Sequence, residues 1–384
     1  MVIGRWSNGG TPLWYHPARL QIVLDYRPAL RQRTGVGEYA HNLAAALLKQ
    51  LDPGDELTLF SSSWKDRLGH PIEGARPLDR RIPVRILNLL WHRVGWPTIE
   101  RLGARPDVTW SLHPLIMPST RAACIVSLMD LHVFEHPELT SAEIRRDYAA
   151  LAPAHLKRAD AVVTISEYTR RRAVDRFGIS PEKIVVCYPG APPWSPQPAS
   201  PAGGPILHVG TIDPRKNVPS LLQAYDELLR RRPDAPPLIF AGRVDPSASA
   251  LRGGRGERVK FLGYVSEEEK RRLYREASML VMASTEEGFG IPAVEAMTIG
   301  LPVVVTNRGS LPEVVGDAAL LADPADPGSF ADAMQRVLDD GSLRARLREL
   351  GIRQAAQFSW DASAARLLGT FRAVVARRTS AGRA

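Results

Sequence analysis

Short β-branched runs alternate with longer amphipathic stretches through almost the whole chain. The run Leu20–Asp25 predicts a strand, after which Val36, Tyr39, Ala40, Leu43 and Leu47 recur at helical spacing. Further strands are expected at Glu56–Phe60, Asp107–Ser111, Ala122–Leu128 and Ala161–Ile165, the last feeding a helix that begins near Ser166. Beyond residue 205, Ile206–Val209, Leu238–Ala241, Arg258–Phe261, Met279–Met282 and Pro302–Thr306 read as strands, with helices such as Pro219–Arg231 between them. Strands alternating with helices predict parallel, doubly wound α/β sheets. Between the two sets lies Pro189–Pro205, where repeated prolines remove backbone donors and disfavour helix in the preceding residue, so a linker is expected there. A last helix is predicted from Trp360 and Asp361, with Ala364, Leu368, Phe371 and Val375 as its buried face. No internal repeat interrupts this order.

Composition narrows the class. A chain of 384 residues suits two domains, each of roughly 150–200 residues. Hydrophobic residues at 44% and charged residues at 24% exclude general disorder. No apolar run approaches the roughly 18 residues of a membrane span. The start, with Trp6, Gly9, Gly10, Pro12 and Pro17, has no signal-type apolar core and reads as an irregular extension over residues 1–19. The expected boundaries are then 20–188 for a first α/β domain, 189–205 for the linker, 206–358 for a second, and 359–384 for the last helix and a basic tail. Cys124 and Cys187 are too few for a disulfide framework and suit a reducing cytoplasm. A net charge of +9 favours an anionic partner, whether nucleic acid, acidic lipid or a phosphate-bearing substrate.

The segment from Ser284 to Met297 carries the chemistry. Glu287 and Glu295 are separated by seven residues, the first in a glycine-containing loop, the second about one turn into a helix opened by Pro292. Gly288 and Gly290 allow close backbone approach, and free amides at the helix start form an anion site. One carboxylate can accept sugar hydroxyls and the other ribose hydroxyls. Arg215 and Lys216 follow the first strand of the second domain, where two cations can offset the charge on a departing diphosphate. Such sheets bind ligands beyond the carboxyl ends of their strands, so two of them facing each other make a cleft.

Together, these segments resemble the family 4 retaining glycosyltransferases of the GT-B fold. The resemblance rests on Glu287/Glu295, on Gly210-Thr211 with Pro214-Arg215-Lys216-Asn217, on Phe261–Val265, on Gly300–Val304 and on Gly309–Ala319. In the first half it rests on Thr34–Tyr39, on Asp130-Leu131 and on His136-Pro137-Glu138. It implies two Rossmann-like domains facing across a cleft, the first on the acceptor side and the second binding the nucleotide sugar. The last helix would cross back to the first domain. It further implies that Arg215 and Lys216 hold the donor diphosphate, Glu295 the ribose and Glu287 the transferred sugar. The amides of Gly288, Phe289, Gly290 and Ile291 would orient sugar and phosphate. Gly35 and Gly37 would admit the diphosphate or acceptor, and Arg243, Tyr264 and Val265 would lie beside the base. The expected reaction moves a hexose of mannose or glucose type from a GDP- or UDP-sugar to a glycan or lipid-linked acceptor. No cofactor and no metal are expected, since the sequence has no Asp-x-Asp, which suits donor activation by cations and amides; in that scheme the leaving phosphate takes the acceptor's proton, so no dedicated protein base is required. Where the family often reads His-Asp, this chain reads Met129-Asp130. Asp130 keeps its role, and His132 is the candidate substitute for the missing imidazole. Met129 also motivates an alternative, a sugar-nucleotide-binding protein with impaired catalysis. A GT-B epimerase or phosphorylase is a weaker option, because the context of the two glutamates argues against both.

Three further signals change the picture less. His132-Val133-Phe134-Glu135-His136 fits a zinc-protease pattern, but Pro137 disfavours helix at His136. His208 is expected in the core, and His113 with Pro114 could line the acceptor cleft. Between Arg76 and Arg105, seven arginines face only Asp79 and Glu100 and interleave with aliphatics and tryptophans. That mixture suits anionic lipid better than nucleic acid, which is not expected to bind. The expected location is cytoplasmic, with peripheral docking on the inner face of the plasma membrane. The basic residues Arg372, Arg377, Arg378 and Arg383 read as a solvated helix end.

Overall fold

Ile22, Val23 and Leu24 are all buried, so β1 (Gln21–Asp25) has no solvent face and needs neighbours on both sides. It finds them in a parallel sheet. The computed structural model describes residues 19–30, 35–140, 142–245, 248, 251 and 256–381. Nearly all of the expected N-terminal extension, together with Thr34 and Arg383, lies outside the described residues.

The first domain continues with α1 (Val36–Leu48), β2 (Glu56–Ser62), β3 (Arg76–Arg80), α2 (Val84–Val94), β4 (Val108–Ser111) and β5 (Ala123–Leu128). It then runs through α3 (His132–Glu135), α4 (Ala142–Arg158), β6 (Ala161–Thr164), α5 (Glu167–Phe177) and β7 (Ile184–Val186). Its strands are parallel in the order β3-β2-β1-β4-β5-β6-β7. The order reverses direction between β1 and β4, which opens a crevice at their carboxyl ends.

The second domain comprises β8 (Ile206–Val209), α6 (Val218–Arg231), β9 (Leu238–Ala241), β10 (Val259–Gly263), α7 (Glu267–Glu276) and β11 (Met279–Met282). It is completed by α8 (Ile291–Ile299), β12 (Val303–Thr306), α9 (Leu311–Val315), β13 (Leu320–Ala322), α10 (Pro327–Asp339) and α11 (Gly341–Ala355). The parallel order β10-β9-β8-β11-β12-β13 reverses between β8 and β11. Both architectures are those of a GT-B fold. The strand β3 escaped the sequence reading because Arg76–Arg80 is largely polar, and β7 and β13 because each is only three residues long.

Residues 187–205 form no helix or strand, yet they are strapped to the second domain. Ala191 N–H donates to the Phe358 carbonyl at 2.9 Å, and Arg348 reaches the Gln197 carbonyl at 2.7 Å. Then α12 (Trp360–Ala381) packs Ala364, Leu367, Leu368, Phe371 and Val374 into the core of the first domain, where Phe371 meets Trp110 edge-on. Among the described residues the basic tail is an exposed helix end, as expected, with Arg377 and Arg378 at the surface, and two of its arginines also pair with acids of the first domain. Arg372 pairs with Asp52 at 2.6 Å and Arg378 with Asp160 at 3.1 Å, because the helix lies along the first domain and brings both guanidinium groups to its acids.

Candidate active site

The crossover between β8 and β11 brings two loops together. Lys216 follows β8 and is buried, and its ammonium lies 2.5 Å from Glu287 Oε1 in the loop after β11. Arg215 Nη1 approaches Glu287 Oε2 at 3.1 Å, and Ser284 Oγ donates to Oε1 at 2.7 Å. Burial alone would raise the Glu287 carboxyl, but Lys216 and Arg215 outweigh it and bring its pKa down to about 2. The carboxylate is therefore ionised and holds two cations at the mouth of the strand pair. His208, packed on Phe240 as expected for a core residue, donates Nδ1–H to the Val281 carbonyl at 3.0 Å. Burial and the Lys216 cation lower its pKa to about 4.

Glu295 occupies a second buried pair of bonds. Lys270 Nζ lies 2.8 Å from Oε1, and Tyr274 Oη donates to Oε2 at 2.7 Å. Burial raises the Glu295 carboxyl, with Lys270 and Tyr274 opposing. Gly290 takes φ 96° as the residue before α8, a left-handed conformation suited to glycine, and in the first turn Pro292 brings no N–H while the Ala293 N–H donates to the Gly290 carbonyl at 3.0 Å.

The two domains meet here. A Cβ on Gly288 would lie 2.4 Å from the Met129 carbonyl and 3.2 Å from the Asp130 Cβ, so only glycine lets the loop after β11 touch the loop after β5. Asp130 Oδ2 sits 3.9 Å from Arg215 Nη1 across the boundary, and Asp130 Oδ1 accepts the His132 N–H at 3.1 Å. His132 Nδ1 is buried with no hydrogen-bond partner, and burial with the nearby Arg215 cation lowers that ring's pKa. A second bridge uses Glu313 of α9, whose carboxylate accepts the backbone N–H groups of Glu167 and Tyr168 at 2.8 Å each. Tyr188 Oη donates to the same carboxylate at 2.9 Å.

The sequence agrees with this geometry. Residues 197–354 match the profile described as Glycosyl transferases group 1, and residues 33–194 match Glycosyltransferase Family 4. The chain is 33% identical over 370 residues to the O-antigen chain mannosyltransferase B of Escherichia coli, covering 89% of this chain and 97% of the relative. The chain belongs to the group 1, family 4 glycosyltransferases. Two solved structures share the GT-B fold. Sucrose-phosphate synthase of Thermosynechococcus elongatus superposes with a TM-score of 0.75 at 22% identity, over 94% of this chain and 100% of that one. Anabaena HepE, in complex with UDP and glucose, superposes at 0.66 and 19% identity, over 92% and 99%.

Other residues of the glycosyltransferase that the sequence singled out lie around this centre. Gly210 packs against the Lys216 side chain, since a Cβ there would meet Lys216 Cε at 3.5 Å, and exposed Thr211 follows it. Arg243 stacks over the exposed Tyr264 ring at 5.5 Å, with Val265 packed beneath on the core. Gly35 precedes α1 with open space at its Cα, whereas the bare Cα of Gly37 serves packing, because a Cβ would lie 2.6 Å from the Pro28 carbonyl. Phe289 contributes only its backbone to the loop: its ring is buried between Tyr188 and Phe358. Ile291 opens α8. The H-x-x-E-H pattern forms the single turn α3, after which His136 leaves the helix at φ −126°. Ser284, Lys270, Tyr274 and Glu313 were missed by sequence reasoning. The spacing of Lys270 and Tyr274, one helical turn apart, was the available signal.

Proposed function

We propose that this glycosyltransferase moves a hexose from a GDP- or UDP-sugar to a glycan or lipid-linked acceptor with retention at the anomeric carbon. The observation that carries this reading is Arg215 and Lys216 paired with Glu287 at the β8/β11 crossover, opposite Asp130. The diphosphate of an incoming donor takes over the two cations, which frees Glu287 to accept hydroxyls of the sugar. As the anomeric C–O bond breaks, positive charge develops on the sugar and negative charge on the leaving phosphate, which Arg215 and Lys216 stabilise. The acceptor oxygen then attacks the same face, and its proton passes to the departing phosphate oxygen. Two fixed cations in the place of a divalent ion support catalysis without metal. Glu295 binds the ribose by exchanging Lys270 and Tyr274 for its hydroxyls, with Arg243, Tyr264 and Val265 beside the base. Asp130 and His132 face the sugar from the acceptor side. The likeness to a mannosyltransferase favours mannose, and the UDP bound to HepE keeps UDP-sugars in the panel.

The site of action in this reading is the cytoplasmic surface of the plasma membrane. Among the described residues no helix is long and apolar enough to cross a bilayer, but α2 exposes Ile86, Leu89 and Val94 beside exposed Arg85 and Arg93. Arg80, expected to share this surface, instead donates inward to the Leu102 carbonyl at 2.7 Å, because β3 orients it toward the loop after α2. The deciding experiment incubates the protein with sugar nucleotides and acceptor lipid extracts and measures released GDP or UDP. Turnover with one donor and an α-linked product supports the reading. Saturable binding of every donor without turnover would favour the catalytically impaired alternative.

A further inference from the structure

Glu287 is anchored by its backbone as well as by its carboxylate. Its carbonyl accepts two bonds from one residue of the loop after β12, the Ser310 N–H at 3.1 Å and the Ser310 Oγ–H at 2.9 Å. Ser310 is fully buried, with its hydroxyl committed to this carbonyl. Gly309 brings the two loops this close. It takes φ 64°, and a Cβ there would lie 2.7 Å from the Glu287 nitrogen and 2.8 Å from the Glu287 carbonyl oxygen. Leu311, next to Ser310, fills the space beside Gly290, where a Cβ would lie 2.4 Å from the Leu311 Cδ2. On the other side, the Thr285 N–H donates to the Arg215 carbonyl at 2.9 Å, which ties the loop after β11 to the loop after β8.

These bonds fix a direction. A trans peptide is planar, so its C=O and its N–H point opposite ways. The strand order places β11 between β8 and β12. A Glu287 carbonyl turned to the β12 side therefore turns the Gly288 N–H to the β8 side, where Arg215 and Lys216 stand. Among the described residues that N–H has no hydrogen-bond acceptor. An anion drawn to the two cations meets it.

We propose that Ser310 is a positioning residue for the transfer step: by holding the Glu287 carbonyl it aims the Gly288 N–H at the leaving phosphate oxygen. The proposal rests on the transferase reading above and adds to it a residue that touches neither donor nor acceptor. As the anomeric C–O bond breaks, its electron pair stays on that oxygen. A donor already in place stabilises the new charge without first reorienting. Without the Ser310 hydroxyl the carbonyl keeps one bond, and the peptide is freer to rotate its N–H away.

The amide itself can be observed. The pair Glu-Gly occurs twice in the chain, at Glu73-Gly74 and Glu287-Gly288, so labelling glutamate carbonyls with carbon-13 and glycine amides with nitrogen-15 isolates two NMR signals, with Gly74 as internal control. With saturating GDP or UDP on the full chain, the Gly288 proton is expected to move downfield while that of Gly74 stays. In Ser310→Ala this shift should be lost although calorimetry still detects the nucleotide. Its kcat should fall by about a hundredfold, more than its nucleotide affinity, as when one preorganised donor is lost. Ser310→Cys, which keeps the shape but offers only a weak S–H donor, should behave likewise, so the result does not depend on one variant folding. Ser310→Thr, which keeps the hydroxyl, should restore both the shift and kcat. A Gly288 shift as large in the alanine and cysteine variants as in wild type overturns the assignment, as does wild type that binds nucleotide with its Gly288 amide unmoved. Wild type that binds neither nucleotide is a separate result: it removes the transferase reading, and this assignment with it.

Discussion

At the residue scale, Glu287 and Lys216 depend on each other. Replacing Lys216 by methionine leaves a buried carboxylate with one cation, and removing one partner of such a pair costs about 3 kcal/mol. The expected outcomes are a lower urea midpoint and a loss of nucleotide affinity in titration calorimetry. Glu295→Ala is expected to weaken nucleotide binding by about tenfold, or about 1.4 kcal/mol, with the transferred sugar discriminated as before. Unchanged affinity in both variants removes the donor-site assignment. Acid response follows from histidines in both domains, His208 beside Lys216 and His155 of α4, whose Nδ1 accepts the Ile116 N–H at 2.9 Å. His208 and His155 both sit at about 4 in the fold against an ordinary 6.5, so the unfolded chain binds more protons between those values. Their stabilisation is complete above pH 6.5 and is lost as pH falls toward 4. Glu287, lowered to about 2 from 4.5, extends the loss below pH 4.5. Urea melts at stepped pH should show both windows, and His208→Leu should flatten the first without removing the share of His155. The types and spacing of Arg215, Lys216, Glu287 and Glu295 were legible in the chain. The partners Ser284, Lys270 and Tyr274 were not, because the bonds that recruit them depend on which side chains burial leaves facing each carboxylate.

At the element scale, Glu313 completes α5 from the other domain. Ser166 caps that helix within its own chain segment through the Thr169 N–H at 3.0 Å, and the remaining donors of Glu167 and Tyr168 point at Glu313. A carboxylate at a helix N-terminus is favoured both by those donors and by the helix dipole. This contact therefore stabilises the juxtaposition of the two domains. Glu313→Ala should cost about 1 kcal/mol and should enlarge the radius of gyration in solution scattering. An unchanged scattering profile would argue against a role in closure. Ser166 at a helix start was readable from sequence. That a glutamate 146 residues away supplies the rest of the cap was not, since no local period relates α9 to α5.

At the scale of the whole molecule, α12 and the strapped linker tie the two sheets together, and α2 exposes one of its faces on the first domain. An anionic surface contributes about 1 kcal/mol per arginine near it. Replacing Arg81, Arg85 and Arg93, all exposed, with glutamine should therefore sharply reduce co-sedimentation with phosphatidylglycerol vesicles. Equal recovery on neutral vesicles would sink the docking surface. The sequence by itself determined the number of domains, the parallel α/β class and the loops that carry the cations and glutamates, because strand and helix periods and glycine turns are encoded within short windows. Only the tertiary structure decided which strands are neighbours. That order placed the loops after β8 and β11 around one cluster and opened a separate crevice between β1 and β4. It also divided one amphipathic helix, α2, between core and solvent. The sequence pattern shows that α2 has apolar residues on more than one side, but which side is buried depends on what the sheet order packs against it.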